Sequence, residues 1–332
     1  MLRTLLVIWT ALGLSLGQAA ESVESGAPDI AAPPGQTKVT VGVYLIDLIE
    51  VDGASQTFTA DLWFKLSWND PRLAEPGSGL RRMDRADVWY PKLLPSNQRS
   101  GDPKWPDEVL VDEEGTVVYR QRSVSTFACP LNLRKFPHDV QSLHALVLGV
   151  ESTPEEMVFE VDQAGSGRAE TFTITDWEAG EFQLTAGTHQ VAGVAVEVPS
   201  FRIDFKVKRL SRYYLGTIFS TVAIIALMAW LVYWLPVGTL PPRVSVSVTS
   251  MLALIAYRFV AAQDLPKLPY LTSMDFFLLG AAVLILVGLT TVVVVANQDG
   301  KGNTQLAKRL NLVFRWAYPL VLLGLLAAFA ID

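Results

Sequence analysis

From residue 38 to residue 212 apolar and polar side chains alternate in short runs; from residue 213 onward long apolar stretches replace that alternation. A period of two puts successive side chains on opposite faces of an extended chain, so such runs predict half-buried strands. Val39, Val41, Val43 and Leu45 make one such face. Phe58, Ala60, Leu62, Phe64, Leu66 and Trp68 make another, backed by Thr59, Asp61, Trp63, Lys65 and Ser67. Residues 116–127, 141–148, 156–161, 181–184 and 201–209 read the same way. Turn formers separate the runs, among them Asn69-Asp70-Pro71, Pro76-Gly77, Gly101-Asp102-Pro103 and Glu114-Gly115. Many short strands without long helical patterns predict a β-sandwich over residues 38–212.

The apolar stretches cover residues 214–235, 244–263, 274–296 and 310–331. Each approaches the ~20 residues a helix needs to cross a bilayer. The expected fold class is therefore α+β: a sandwich followed by a four-helix transmembrane domain over residues 213–332. Four spans leave both chain ends on one side. The loops on the other side hold Arg243 and then Lys301, Lys308 and Arg309, in keeping with the excess of Lys and Arg in cytoplasmic loops.

The second stretch is unusual for a membrane helix. Ser245, Thr249, Leu252, Ala256, Phe259 and Gln263 fall at alternating steps of four and three, so a helix places them on one face. That face is polar at both ends and apolar in the middle. It suits the wall of a water-filled pore that closes by dewetting at its apolar band. Equally, Ser and Thr in a buried helix bond back to their own preceding turn. The residues alone leave both readings open.

Charge and composition sharpen the division. Of 332 residues half are hydrophobic; residues 21–212 carry 19 Lys and Arg against 29 Asp and Glu, while residues 213–332 carry 7 against 4. No basic cluster points to nucleic acid, and that partner is set aside. The first 19 residues have one Arg, an apolar run and the small residues Gly17 and Ala19, the pattern of a secretory signal peptide, followed by a Pro- and Gly-bearing leader over 20–37. The sandwich is thus expected outside the cytoplasm, where the single Cys129 has no cysteine of its own chain to pair with. Three histidines, no HExxH, no nucleophile elbow and no phosphate loop give no basis for an enzyme, a metal or a cofactor. Two features of the sandwich bear on binding. Trp63 lies on the polar side of its strand beside Asp61 and Lys65, either as interface packing or as a ligand contact, and Arg120 and Arg122 share a strand face. The paired arginines are either a solvated edge or a bidentate grip on a carboxylate.

Residues 129–143 read Cys-Pro-Leu-Asn-Leu-Arg-Lys-Phe-Pro-His-Asp-Val-Gln-Ser-Leu. This resembles the signature loop of the pentameric ligand-gated ion channels. Leu143 replaces the second loop cysteine, which looks like the bacterial branch of that family. Trp68-Asn69-Asp70-Pro71-Arg72-Leu73 and Val88-Trp89-Tyr90-Pro91 match further family motifs. Arg209 before Tyr213-Tyr214 is similar to the junction into the first membrane helix, although Thr221 stands where a proline is usual. Leu265-Pro266-Lys267-Leu268-Pro269-Tyr270 resembles the linker after the pore helix, and Arg315 and Pro319 fit the fourth helix.

The resemblance implies a homopentamer in a bacterial inner membrane, with the sandwich in the periplasm and the second helix lining a pore for inorganic ions. Its partners would be membrane lipid and a small-molecule agonist or protons. Pro241, Pro242, Arg243, Ser245, Thr249, Leu252, Ala256, Phe259 and Gln263 would line the pore, with Leu252 and Phe259 as apolar rings. Pro137, His138, Asp139, Arg209, Pro266 and Lys267 would couple sandwich to helices. Trp63, Lys65, Arg120 and Arg122 would form the agonist site between subunits. Ser96 and Val150 replace aromatics on its other wall, so the cations favour an anionic agonist over a quaternary ammonium. Pro241-Pro242-Arg243-Val244 resembles the entrance of the family's chloride channels, and residues 236–263 hold no acidic side chain, so chloride selectivity is expected. The rival expectations are a cation-selective or proton-gated channel and a membrane-anchored receptor that conducts nothing.

Overall fold

The computed structural model of the chain describes residues 30–191, 196–261 and 268–331. The expected signal peptide, most of the leader, and Gln263, Pro266 and Lys267 lie outside the described residues.

The alternation around residue 40 is realised in β1 (Thr37–Asp52), where Val39, Val41, Val43 and Leu45 are fully buried. β2 (Thr57–Asn69) pairs with it antiparallel, Val43 opposite Phe64. The last residue of the expected leader, Thr37, already belongs to β1 and lies opposite Met157. The remaining strands are β3 (Arg81–Asp84), β4 (Leu93–Pro95), β5 (Gln98–Pro103), β6 (Glu108–Val111), β7 (Thr116–Ala128), β8 (Val140–Gly149), β9 (Met157–Val161), β10 (Gly167–Arg168), β11 (Trp177–Gln190) and β12 (Glu197–Arg209). One sheet runs β10-β1-β2-β7-β6-β3, with β5 on β7 and β9 on β1; the other runs β11-β12-β8-β4.

The two sheets meet through aromatic rings. Phe58 of β2 stacks on Phe127 of β7 and meets Phe205 of β12 edge-on, both at 5.2 Å between centroids. Two of the sequence motifs are parts of one local structure. Asp70, buried, accepts from the Arg72 amide and takes the Arg72 guanidinium at 2.8 and 2.7 Å, which fixes the turn after β2. Next to it Trp68 meets Trp89 and Tyr90 edge-on at 5.9 Å. The Arg72 guanidinium holds the Asp70 carboxyl below its usual range. Gly115 closes this turn at φ +83°, and a Cβ there would stand 2.5 Å from the Asp70 carbonyl oxygen.

Four helices follow, all long and apolar enough to cross a membrane. They are α1 (Arg212–Trp230, continued by a 3-10 turn to Trp234), α2 (Leu240–Ala261), α3 (Ser273–Gly300) and α4 (Thr304–Ile331). α2 starts four residues before the expected 244. Pro241 and Pro242 sit in its first turn, where the missing N–H groups have no intrahelical acceptor to lose. A reciprocal cap between Thr272 and Asp275 sets the start of α3.

Candidate functional site

α2 presents two unlike faces. Pro241, Pro242, Ser245, Thr249, Leu252, Ala256 and Phe259 are exposed in the protomer, Leu252 at 61% and Phe259 at 74%. The buried residues are Arg243, Ser247, Ser250 and Leu254. Ser247 and Ser250 bond back to the carbonyls of Arg243 and Val246 at 3.1 and 2.9 Å, so the buried-helix reading of small hydroxyls applies to this second face.

Arg243 corrects the sequence reading. Expected at the pore wall, it is fully buried. Steps of four, three and four carry Arg243 to Ser247, Ser250 and Leu254, away from the Ser245 stripe. Its Nε donates to the Val232 carbonyl at 3.1 Å and its Nη2 to Asn311 Oδ1 of α4. The cation therefore ties α2 to its neighbours.

At the opposite end of the helices the loop after β7 meets the membrane domain. Asp139 and Arg209 form an ion pair with side chains 1% and 7% exposed, Nε to Oδ1 at 2.8 Å and Nη2 to Oδ2 at 3.3 Å. Gln141 donates to Asp139 Oδ2 at 2.6 Å and bridges to the backbone of Asn132. The guanidinium lies over the Trp177 ring at 4.1 Å and faces Phe136 at 4.9 Å. Phe136 in turn meets Tyr214 of α1 at 5.1 Å, and the Phe136–Pro137 peptide is cis. The Arg134 carbonyl accepts from the Ser273 amide at 2.9 Å, and the Leu133 amide donates to the Tyr270 hydroxyl at 3.2 Å. His138 meets Phe329 of α4 edge-on at 6.0 Å, with Nε2 buried and no hydrogen-bond partner among the described residues. Pro137, His138, Asp139 and Arg209 are thus brought together. Gln141, Trp177 and Tyr270 were not singled out as coupling residues from the sequence; the available signals were the places of Gln141 inside the signature loop and of Tyr270 at the end of the linker motif.

The four residues expected to bind agonist are also neighbours. β2 and β7 set Trp63 opposite Arg122 and Lys65 opposite Arg120, on one face. Their charges are less available than the sequence implies. Arg122 grips buried Asp61 through Nε at 3.1 Å and Nη2 at 2.7 Å. Lys65 reaches Asp162 at 3.4 Å. That carboxylate is held below its usual range chiefly by the Gly165 amide, with Lys65 adding to the effect. Arg120 is exposed, makes no ion pair among the described residues, and lines a cavity of about 180 Å³ with Trp105, Arg82 and Glu108. Phe201 of β12 packs in the core against Phe159 of β9 at 5.1 Å.

Comparison with known proteins places both halves. A family described as "Neurotransmitter-gated ion-channel ligand binding domain" matches residues 27–209, and "Neurotransmitter-gated ion-channel transmembrane region" matches residues 221–322. Over 259 residues the chain is 26% identical to a protein of Gloeobacter violaceus named "Proton-gated ion channel". The match covers 76% of this chain and 70% of that relative.

Proposed function

The chain belongs to the neurotransmitter-gated ion-channel family, and on that premise we propose that it is the subunit of a homopentameric channel whose pore is lined by α2. One observation carries this reading. The protomer leaves the Ser245–Thr249–Leu252–Ala256–Phe259 stripe exposed while it buries the opposite face of the same helix. A lone helix cannot enclose water, so copies must converge to give that stripe a use. Leu252, flanked by Thr249 and Ala256, forms the constriction that closes by dewetting.

Selectivity is the finer part of the proposal. Residues 236–263 hold no carboxylate, and Pro242 offers none to the exposed face at the start of α2. Five helix N-termini converge there with the positive ends of their macrodipoles, carried by the backbone dipoles and by fewer N–H groups than usual, since Pro241 and Pro242 have none. These favour chloride over sodium; Arg243, behind the wall, adds no group to it. The stimulus is an agonist between subunits near Arg120, or protons. Two observations bring protons forward: Lys65 and Arg122 already hold carboxylates, and the relative is named for proton gating. His138, packed at the interface against Phe329 of α4, is the histidine of the signature loop.

Current recording from the purified protein in a bilayer under a sodium chloride gradient tests all of this. Unitary currents that reverse near the chloride potential are expected. Reversal near the sodium potential sinks the selectivity. Absence of current under acid and under agonists leaves a receptor that does not conduct.

A further inference from the structure

Between Val244 and Ala261 the pore helix carries one charged side chain, Arg258, in its last turn at the end nearer the sandwich. Arg258 is exposed in the protomer and makes no hydrogen bond, ion pair or ring contact among the described residues. It stands next to Phe259 in sequence, so the helix turns it by about 100° from that residue and off the pore stripe. It lies instead on the flank of Val248 and Ile255, which are 40% and 46% exposed. No part of its own protomer covers this flank. A guanidinium at membrane depth is costly unless it finds a partner.

The depth of Arg258 follows from contacts at the other end of the helices. The Arg243 Nε donates to the Val232 carbonyl at 3.1 Å, which sets residue 243 of α2 level with residue 232 at the end of α1. The two helices run antiparallel through residues 235–239. Fifteen residues along α2 and fifteen back along α1, Arg258 therefore comes level with Thr217, to within about a turn. Rotation about an axis along the membrane normal preserves depth, so the same level holds on every copy of the chain.

At that level α1 exposes Tyr213, Gly216, Thr217 and Ser220, and the same face continues as Ile224 and Leu227. It is polar or small beside Arg258 and apolar below it. Its hydroxyls have already given their protons: Thr217 Oγ1 donates to the Tyr213 carbonyl at 2.9 Å and Ser220 Oγ to the Thr217 carbonyl at 3.3 Å. Each oxygen keeps lone pairs, so the face offers acceptors, whereas a guanidinium has five N–H donors and no acceptor. A Cβ built on Gly216 would meet nothing within 4 Å, which leaves room there for an incoming side chain. α1 holds no carboxylate. Lipid tails satisfy neither the cation nor the hydroxyl oxygens; a second copy of the chain gives each the other.

We propose that Arg258 of one subunit docks on the Gly216–Thr217–Ser220 face of α1 in the next, giving its N–H groups to the two hydroxyl oxygens. This rests on the pentamer reading above and names the contact that closes the ring, the flank of each pore helix against the first helix of its neighbour.

The test is disulfide capture in the full-length chain in nanodiscs, with Arg258→Cys and Ser220→Cys made singly and together. Cys129 stays in place, and the single variants control for it. After mild oxidation the double variant should give a reducible ladder up to the pentamer, at least about fivefold stronger than either single. Dimers of equal strength from Arg258→Cys alone overturn the contact, because they place residue 258 against its own copies around the axis. So does an equal ladder from Arg258→Cys paired with Ala327→Cys, on the exposed face of α4. Glutaraldehyde on the same samples separates the two readings. A pentamer with glutaraldehyde but no ladder from the cysteine pair overturns the contact and leaves the pore reading. Monomer alone with both reagents removes both. The second measurement is the ratio of pentamer to monomer in detergent, read by native mass spectrometry. Arg258→Met keeps the length of the side chain and should lower that ratio by on the order of tenfold, the equivalent of about 1.4 kcal/mol for a charged hydrogen bond. Ser220→Ala should lower it less, and should add nothing in the Arg258→Met background. An unchanged ratio for Arg258→Met, or a full further loss in the double variant, overturns the contact.

Discussion

Replacing Asp139 by Asn removes one charge from the most deeply buried ion pair among the described residues while keeping the shape of the side chain. Asp139 and Arg209 are 1% and 7% exposed, and their nearest N–O distance is 2.8 Å. At an effective dielectric of ~20 two charges ~4 Å apart attract by about 4 kcal/mol. Removing one partner of a buried pair typically costs about 3–5 kcal/mol, because the other is left uncompensated. Three features moderate the loss, the first being that Arg209 Nη1 keeps Asp176 Oδ2 at 3.9 Å. The Asn carbonyl still accepts one bond, and the guanidinium keeps its place over Trp177 at 4.1 Å, a cation–π contact worth up to ~2 kcal/mol when desolvated. We therefore expect a net loss of about 2–3 kcal/mol per protomer. At roughly 2–4 °C per kcal/mol this lowers the midpoint of thermal unfolding by on the order of 5–10 °C. The assay is fluorescence-detected melting of the purified oligomer at one fixed scan rate, for Asp139→Asn, Arg209→Gln and the double variant. The double variant should be no less stable than the worse single, since each change removes the same interaction. Strictly additive losses, or a shift below about 1 °C for Asp139→Asn, would refute the reasoning.

Three further outcomes follow from named contacts. Leu252→Ser exchanges an apolar ring for a wettable one; the activation midpoint should fall by on the order of tenfold, or the resting channel should leak, and an unchanged dose response moves the gate to Phe259. Pro242→Glu places a carboxylate on the exposed first turn of α2, so the reversal potential under a sodium chloride gradient should move toward sodium; no movement takes Pro242 off the pore wall. His144, 3.5 Å from Cys129 Sγ, is held below its ordinary value of 6.5, first by burial and then by Arg202. Because the fold disfavours its charged form, its contribution to stability is present above about pH 6.5 and is lost as pH falls below that. His144→Gln should flatten the decline in melting midpoint between about pH 7 and pH 5, and an unchanged slope assigns that decline to other groups.

Much of this protein is determined by its sequence. Period-two alternation placed β1, β2, β7, β8 and β12, because one face of each strand is buried in the sandwich and the other is not. Four apolar stretches placed the four helices, since length and hydropathy suffice for a span. The α2 stripe was legible because a period of 3.6 alone decides which side chains share a helix face. β3 to β6 and β10 were missed: two to six residues are too few for a period to register, and these strands are held by partners distant in sequence. The orientation of Arg243 and the neutralisation of Lys65 and Arg122 belong to tertiary structure. Asn311 lies 68 residues from Arg243, Asp61 lies 61 from Arg122 and Asp162 lies 97 from Lys65. A cation read along the chain shows its charge, but the carboxylate or carbonyl that claims it is set by sheet register and helix packing. That is why an arginine expected to face passing ions proved to be a buried tie between helices.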